Sequence, residues 1–297
     1  MILPRRFCKP RLLVIGCGDV GQRVTRLMGD RVQVIALSSS DEGASALRGQ
    51  GLRLVRGDLD GRATLRRLRG LAPRVLHLAP PPGQGVHDSR TEHLVRALRG
   101  GAVRRLVYGS TTGVYGDAGG ACFDETRLPA PASDRARRRV DAERQLRALG
   151  RDSAVAVSIV RIPGIHGADR KGGLPVERLR AQLPVLVQGE DVYTNHIHAD
   201  DLARACMLAL WRGKPQRVMH VCDDTEMLLG DYLDRAADHF GLPRPPRVTW
   251  DEAQRLLPPQ RLSFLAESRR LLNVRLKREL RLRLRYPQAP DAWPPRA

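Results

Sequence analysis

Gly16-Cys17-Gly18-Asp19-Val20-Gly21, directly after the apolar run 11–15, has the clearest chemical meaning in the chain. A short strand that ends in G-x-G-x-x-G and opens a helix is built to receive phosphates. Gly16 permits the tight turn, Gly18 lets backbone approach a pyrophosphate, and Gly21 lets the helix pack on the strand. The helix N-terminus, at Asp19 and Val20, adds free N–H groups and the positive end of the helix dipole. The pattern predicts that Gly16, Gly18, Asp19, Val20 and Gly21 bind a dinucleotide. A second apolar stretch, 31–37, runs into Ser38-Ser39-Ser40. An acidic residue there would bind the ribose 2′-OH of NAD, but Asp41 and Glu42 come slightly late. Small hydroxyls can instead hydrogen-bond a 2′-phosphate, so Ser38 favours NADP over NAD, with no arginine immediately beside it.

These residues need elements to hold them. Helix-compatible stretches at 44–50, 63–71 and 87–99 alternate with apolar strands at 52–55, 74–79 and 105–109. Leu94, Val95 and Leu98 share one helix face, which suits packing on a sheet. Such alternation argues for a parallel, doubly wound sheet. The segment 116–133 reads as a long functional loop, followed by a charged helix at 134–149 and a strand at 155–161. A helix at 201–211 and a strand at 218–221 return to the sheet. Asp200 and Asp201 are placed to cap that helix. The Arg/Leu-rich stretch 268–284 reads as a covering helix, and the tail after Tyr286 as poorly ordered. The domain reading is 11–165 with a return segment 194–222 for the dinucleotide, and 166–290 mostly for substrate.

Composition narrows the classes. The chain has 297 residues, 42% of them hydrophobic, enough for a large core. No apolar run approaches the roughly 20 residues that span a bilayer. The first ten residues lack the apolar centre of a signal peptide. Cys8, Cys17, Cys122, Cys206 and Cys222 are odd in number and without C-x-x-C spacing, so they read as reduced cytoplasmic thiols. The net charge is +19, yet only four of the 51 basic residues are lysines and the arginines are spread along the chain. Nucleic-acid binding calls for a concentrated stripe with stacking aromatics, and aromatics are 4% here. A nucleic-acid partner is therefore not expected. His196 and His198 alternate like strand neighbours, but no third ligand of suitable spacing accompanies them, so no metal is expected.

Six markers in order resemble the extended short-chain dehydrogenase/reductase superfamily of nucleotide-sugar epimerases and dehydratases. They are the glycine loop, Gly57-Asp58-Leu59, His77-Leu78-Ala79, Ser110-Thr111 with Val114-Tyr115-Gly116, Arg161-Ile162-Pro163-Gly164, and Asn195-His196-Ile197-His198-Ala199-Asp200-Asp201. They cover nearly the whole chain. The resemblance implies an α/β, Rossmann-type doubly wound parallel sheet with a smaller C-terminal substrate lobe. It implies that Asp58 and Leu59 lie by the adenine and that Leu78, Ala79 and Pro80 line the cofactor groove. Thr111 falls where the family keeps its catalytic Ser or Thr, and Tyr115 on the loop facing substrate. Tyr115, Arg161, His166, Asn195 and His198 are the implied substrate contacts, on a sugar-nucleotide-like or small carbonyl compound. The family chemistry is hydride transfer, and a homodimer is compatible with it.

One stretch departs from the family. Its helix carries Y-x-x-x-K, with a glutamate four residues after the lysine. Glu143 fits the glutamate, which puts Arg139 at the lysine position and Arg135 at the tyrosine position. Arg139 can imitate the electrostatic and ribose-binding part of the lysine. Arg135 cannot imitate the tyrosine, because a guanidinium holds its proton to a pKa above about 12. Tyr115, Tyr193, His166, His196 and His198 are the available substitutes, and histidine is the side chain best matched to proton transfer near neutrality. The alternative is a non-catalytic dinucleotide-binding sensor or regulatory protein.

Overall fold

The structure is a computed structural model that describes residues 9–295. Cys8 and most of the N-terminal stretch considered above lie outside the described residues. Strand β1 (Arg11–Ile15) is a continuous apolar run, and Leu12 to Ile15 are fully buried. A strand apolar on both faces belongs inside a sheet covered on both sides. The other strands of its sheet are β2 (Gln33–Ser38), β3 (Arg53–Arg56), β4 (Arg74–His77), β5 (Arg105–Thr111), β6 (Ala156–Ile162) and β7 (Arg217–His220). They lie in the order β7-β6-β5-β4-β1-β2-β3. β1 pairs in parallel with β2 on one side and β4 on the other, and β2–β3 and β4–β5 are also parallel. The strand order therefore reverses between β1 and β4, the place where α/β sheets open a ligand crevice.

Helices α1 (Asp19–Met28), α2 (Asp41–Gly49), α3 (Ser89–Leu98) and α4 (Asp134–Asp152) connect these strands. Segment 62–70 is a 3₁₀ run, where a helix was expected on apolar spacing. Its Leu65 and Leu68 join Leu94, Leu98 and Leu146 in the core with Val75, Leu106 and Ile159. The helix starts are capped locally: Ser40 Oγ accepts from Gly43 N, and Asp88 from Thr91 N.

The chain divides into two compact units. One comprises the chain through Thr111 with Arg137–Arg161 and Ala203–Met219. It carries nearly all of the seven-stranded sheet. The other comprises Thr112–Ala136, Ile162–Leu202 and the chain from His220. The second unit is built from short strand pairs: Gly164–His166 with His196–His198, Val185–Leu186 with Arg247–Val248, Tyr193–Thr194 with Met227–Leu228, and Cys122–Phe123 with Arg270–Leu271. Its helix Leu229–Phe240 packs Tyr232, Leu233 and Ala236 against Leu179, Val185 and Trp293.

Three local expectations are corrected here. The loop 116–133 contains the strand Cys122–Phe123, because Arg270–Leu271 offers it a parallel partner. The stretch 268–284 is not one helix. Its first part is that strand, Asn273 turns its amide onto Cys222 O and Asp224 Oδ1, and only Val274–Glu279 is helical. The tail also takes a defined path. Asp201 Oδ2 accepts from Arg285 N and Tyr286 N at 2.8 and 3.0 Å, Ala289 is fully buried, and Trp293 packs on Tyr232 and Phe240. Asp201 thus ties down the tail from within the first turn of helix Ala199–Arg212.

Candidate active site

The glycine loop sits at the point of strand reversal. Ile15 O accepts from Leu78 N (2.7 Å) and Ala79 N (3.1 Å), which holds the ends of β1 and β4 side by side. Gly16 has φ +83°, and a Cβ there would collide with the backbone of Leu78 and Ala79. A Cβ on Gly21 would come within 3.1 Å of Gly16 O and 3.4 Å of Val14, so α1 packs closely on β1. Around Gly18, by contrast, nothing lies within 4 Å of that position. Gly16 is required by the turn and Gly21 is closely packed, whereas Gly18 leaves open space at the start of α1. Gly18 provides no side-chain cap for the helix. Asp19 in the first turn is held by Arg23 Nε at 3.0 Å, and Arg23 is buried, so the negative charge of Asp19 is paired. Cys17 remains a thiol, pushed up to about 11 by burial.

At the end of β2, Ser38 is buried and donates to Ser40 O at 2.9 Å, while Ser40 caps α2. Pairing of β3 brings Arg56 into register with Ser38. Arg56 holds Asp41 at 2.8 Å, with both side chains exposed. The sequence shows no arginine beside these serines; sheet register supplies one from 18 residues further along the chain. Asp58 is exposed and accepts from Asp60 N, and Leu59 is buried with its carbonyl on His93 Nδ1. Leu78 is half-buried, Ala79 buried and Pro80 exposed.

Thr111 ends β5 and is partly exposed. Arg139 Nη1 donates to Gly109 O at 2.8 Å and to Tyr108 Oη at 3.0 Å, which sets its guanidinium against the end of the same strand. Burial pushes the Tyr108 hydroxyl up to about 12, opposed by the positive charge of Arg139. Beside it, burial and then Arg139 push His77 down to about 3, so it is neutral, with Nε2 3.0 Å from Thr91 Oγ1. Arg139 is thus a fixed positive charge within the first unit. On the same strand, Ser110 Oγ donates to Glu143 Oε1 at 2.7 Å, and Arg161 of the neighbouring β6 reaches Glu143 through Nε (3.0 Å) and Nη2 (2.6 Å). Arg161 is 1% exposed. It was expected at the substrate, and its guanidinium instead neutralises a buried carboxylate.

The remaining expected residues lie in the second unit. Tyr115 is fully buried, its hydroxyl 2.5 Å from His220 Nε2, and His220 Nδ1 faces Leu272 O at 3.0 Å. With Nδ1 donating to the carbonyl, His220 accepts a hydrogen bond from the Tyr115 hydroxyl at Nε2. His166 faces Asp223 at 3.3 Å, and burial raises the Asp223 carboxyl against the lowering hydrogen bond of that histidine. His198 stacks on Tyr286 with centroids 3.8 Å apart, and Asn195 donates to Arg269 O. Burial, and then His166, push His196 down to about 3. These histidines are brought together by the pairing of Gly164–His166 with His196–His198, in a well-filled interior. Among the described residues no group of three or more His, Cys, Asp or Glu could hold a metal, and no helix is long and apolar enough to cross a membrane. Arg135, at the position of the family tyrosine, lies over the ring of Phe264 at 5.0 Å.

Sequence reasoning missed His220, whose role depends on a contact across 105 positions, and Arg56. It also missed a cavity of about 350 Å³ in the second unit, lined by Arg178, Arg261, Gln260 and Phe264 among apolar neighbours. Arg178 is largely withdrawn from water, its Nε has no partner, and its pKa is lowered by that burial and then by Arg261. No spacing in the sequence marks such a site.

The seven-stranded sheet, its order reversed between β1 and β4 at the glycine loop, is a Rossmann-type frame. The chain matches the NAD dependent epimerase/dehydratase family over residues 12–222, and it belongs to that family. No curated protein matches it. Among solved structures, a functionally unknown conserved protein from Silicibacter pomeroyi is 29% identical, with a TM-score of 0.77 over 95% of this chain and 96% of the other. A double mutant of the dTDP-glucose 4,6-dehydratase DesIV from Streptomyces venezuelae, solved with NAD, is 20% identical, with a TM-score of 0.77 over 95% and 94% of the two chains. MoeE5, solved in complex with UDP-glucose and NAD, is 23% identical, with a TM-score of 0.70 over 93% of each. The last two share the fold.

Proposed function

We propose that this protein binds NADP or NAD at the glycine loop and catalyses hydride transfer on a sugar-nucleotide-like or small carbonyl substrate, as an epimerase, dehydratase or reductase. The observation that carries this reading is the cradle at the strand reversal, where Gly16 and Gly21 are packed shut and Gly18 is open. The nicotinamide supplies a hydride donor and acceptor. Gly18, Asp19 and Val20 offer backbone to the pyrophosphate, Asp58 and Leu59 flank the adenine, and Leu78 to Pro80 border the groove. Ser38 and Arg56 favour a 2′-phosphate, hence NADP, and the exposed Arg56–Asp41 pair costs little to open. Thr111 hydrogen-bonds the reacting oxygen, and the charge of Arg139 stabilises negative charge that develops there. Tyr115, relayed to His220, is the candidate proton carrier.

For the substrate, the second unit offers its cavity, where two guanidinia and an amide suit an anionic group and Phe264 suits an apolar or ring portion. MoeE5 and DesIV act as precedents of fold, and their nucleotide-sugar ligands motivate the substrate class.

A specific observation favours the second reading, a dinucleotide-binding sensor without turnover. Arg135 is stacked on Phe264, and Tyr115 is fully buried with its hydroxyl already engaged. One experiment separates the two: incubation with NADPH or NADH and a panel of nucleotide sugars and aldehydes, followed by cofactor absorbance and product mass. Turnover on any member that is lost in Thr111→Val supports the enzyme. Tight cofactor binding with no turnover across the panel supports the sensor, and absence of cofactor binding defeats both.

A further inference from the structure

The first unit also has a cleft lined by none of the cofactor residues. Its volume is about 670 Å³, and it is lined by Arg62, Ala63, Arg66, Arg69, Arg96 and Ala97. We infer that it is a binding site for a compact polyanion of linked phosphoryl groups, separate from the dinucleotide site.

The local geometry explains why four guanidinia meet there. Residues 62–70 wind as a 3₁₀ run, and at three residues per turn Ala63, Arg66 and Arg69 fall on one line. Leu65 and Leu68, on the neighbouring line of the same turns, are buried, while Ala63, Arg66 and Arg69 and, at the start of the run, Arg62 are exposed. The second wall is the exposed face of α3, with Arg96 one turn from its end. Arg69 leans on Gly100 O, and Arg96 pairs with Glu92 on its own helix. Among the described residues Arg62 and Arg66 have neither an acidic nor a hydrogen-bonding partner. No carboxylate lines the cleft.

Like charges this close repel, and a multivalent anion relieves several repulsions at once. Guanidinium forks match phosphoryl oxygens two at a time, and each such charge-assisted pair is stronger than a neutral hydrogen bond. The other lining residues are Ala63 and Ala97, and no aromatic ring lines the cleft on which a base could stack. That chemistry selects phosphoryl groups over nucleobases. Linked phosphates, free or on a small metabolite, fit the cleft; a long nucleic-acid backbone would also need contacts beyond it.

The test is calorimetric titration of the full chain with tripolyphosphate at about 150 mM salt, with sulfate as a control for simple charge. NADPH and NADH binding is measured in parallel, so that failure of the dinucleotide reading registers separately. We expect one saturable site for tripolyphosphate, at least about tenfold weaker in Arg62→Ala/Arg66→Ala, with dinucleotide affinity and far-ultraviolet circular dichroism unchanged. Unsaturable binding, equal binding by the double variant, equal competition by sulfate, or displacement of tripolyphosphate by NADPH would overturn the inference. An oligonucleotide that binds tighter than tripolyphosphate through the same two arginines would overturn it as well.

Discussion

Arg161→Met is the most demanding test of the frame beneath Thr111. Arg161 is 1% exposed and Glu143 2%, and the guanidinium reaches both carboxylate oxygens, at 3.0 and 2.6 Å. Breaking a buried pair by removing one partner costs about 3–5 kcal/mol, because a charge is left without compensation. Glu143 keeps Ser110 at 2.7 Å, and Arg147, itself partly exposed, stands 3.5 Å away. Those partners place the expected loss near the lower end, about 3 kcal/mol, or roughly 6–12 °C in melting temperature for a chain of this size. The companion variant Glu143→Leu/Arg161→Met removes both charges, and replacing a buried pair by apolar side chains is often close to neutral. It should recover more than half of the loss, less what Ser110 forfeits. Urea unfolding at pH 7 followed by circular dichroism measures both. A loss below about 1 kcal/mol for the single variant, or a double variant no more stable than the single, would refute the reasoning.

Other perturbations reach different parts of the structure. His77 and His196 are both pushed down to about 3, chiefly by burial, so their folded pKa lies below the unfolded value of about 6.5. Their contribution is complete above pH 6.5 and shrinks as pH falls toward 3, by about 2 kcal/mol each at pH 5. Burial raises Glu125, Asp191 and Asp223, and these offset part of that loss. His77→Gln should therefore flatten the drop in urea midpoint between pH 7.5 and 5 by one histidine's share, and parallel curves for variant and parent would sink the claim. Gly18→Val should cut dinucleotide affinity at least about tenfold with little change in stability, since its Cβ meets nothing in the fold. Gly16→Ala should instead destabilise by about 1 kcal/mol or more, since φ is +83° and the Cβ meets the Ala79 backbone; fluorescence titration and thermal melts distinguish the two. Arg56→Ala should lower NADPH affinity while sparing NADH, and an equal effect on both would remove Arg56 from cofactor selection.

The parallel sheet, the glycine loop and the order of elements were legible because their signals are local. Alternating strands and helices leave a period in the sequence, and a G-x-G-x-x-G turn leaves a spacing. The second unit was harder to read. Its strands are two or three residues long, too short to leave a period, and each exists only because a distant segment pairs with it. Cys122–Phe123 waits on Arg270–Leu271, and that pairing shortens the helix expected over 268–284. The tail after Tyr286 looked loose because its hold lies elsewhere, in Asp201 and in the ring of Tyr232.

The amino-acid sequence by itself determined that a tight glycine turn joins strand to helix, since Gly16, Gly18 and Gly21 act within one strand, one turn and one helix. It also places Arg135 and Arg139 at the spacing from Glu143 where the family resemblance puts tyrosine and lysine. Only the tertiary structure decided what those arginines do. Arg139 is bound to Tyr108 and Gly109 O, Arg135 lies over Phe264, and Arg161 belongs to Glu143. The physical reason is that an arginine's partner is set by whichever acceptor or ring folding brings within a few ångströms. In a chain with 47 arginines, residue type and spacing cannot distinguish a buried counter-ion from a ligand.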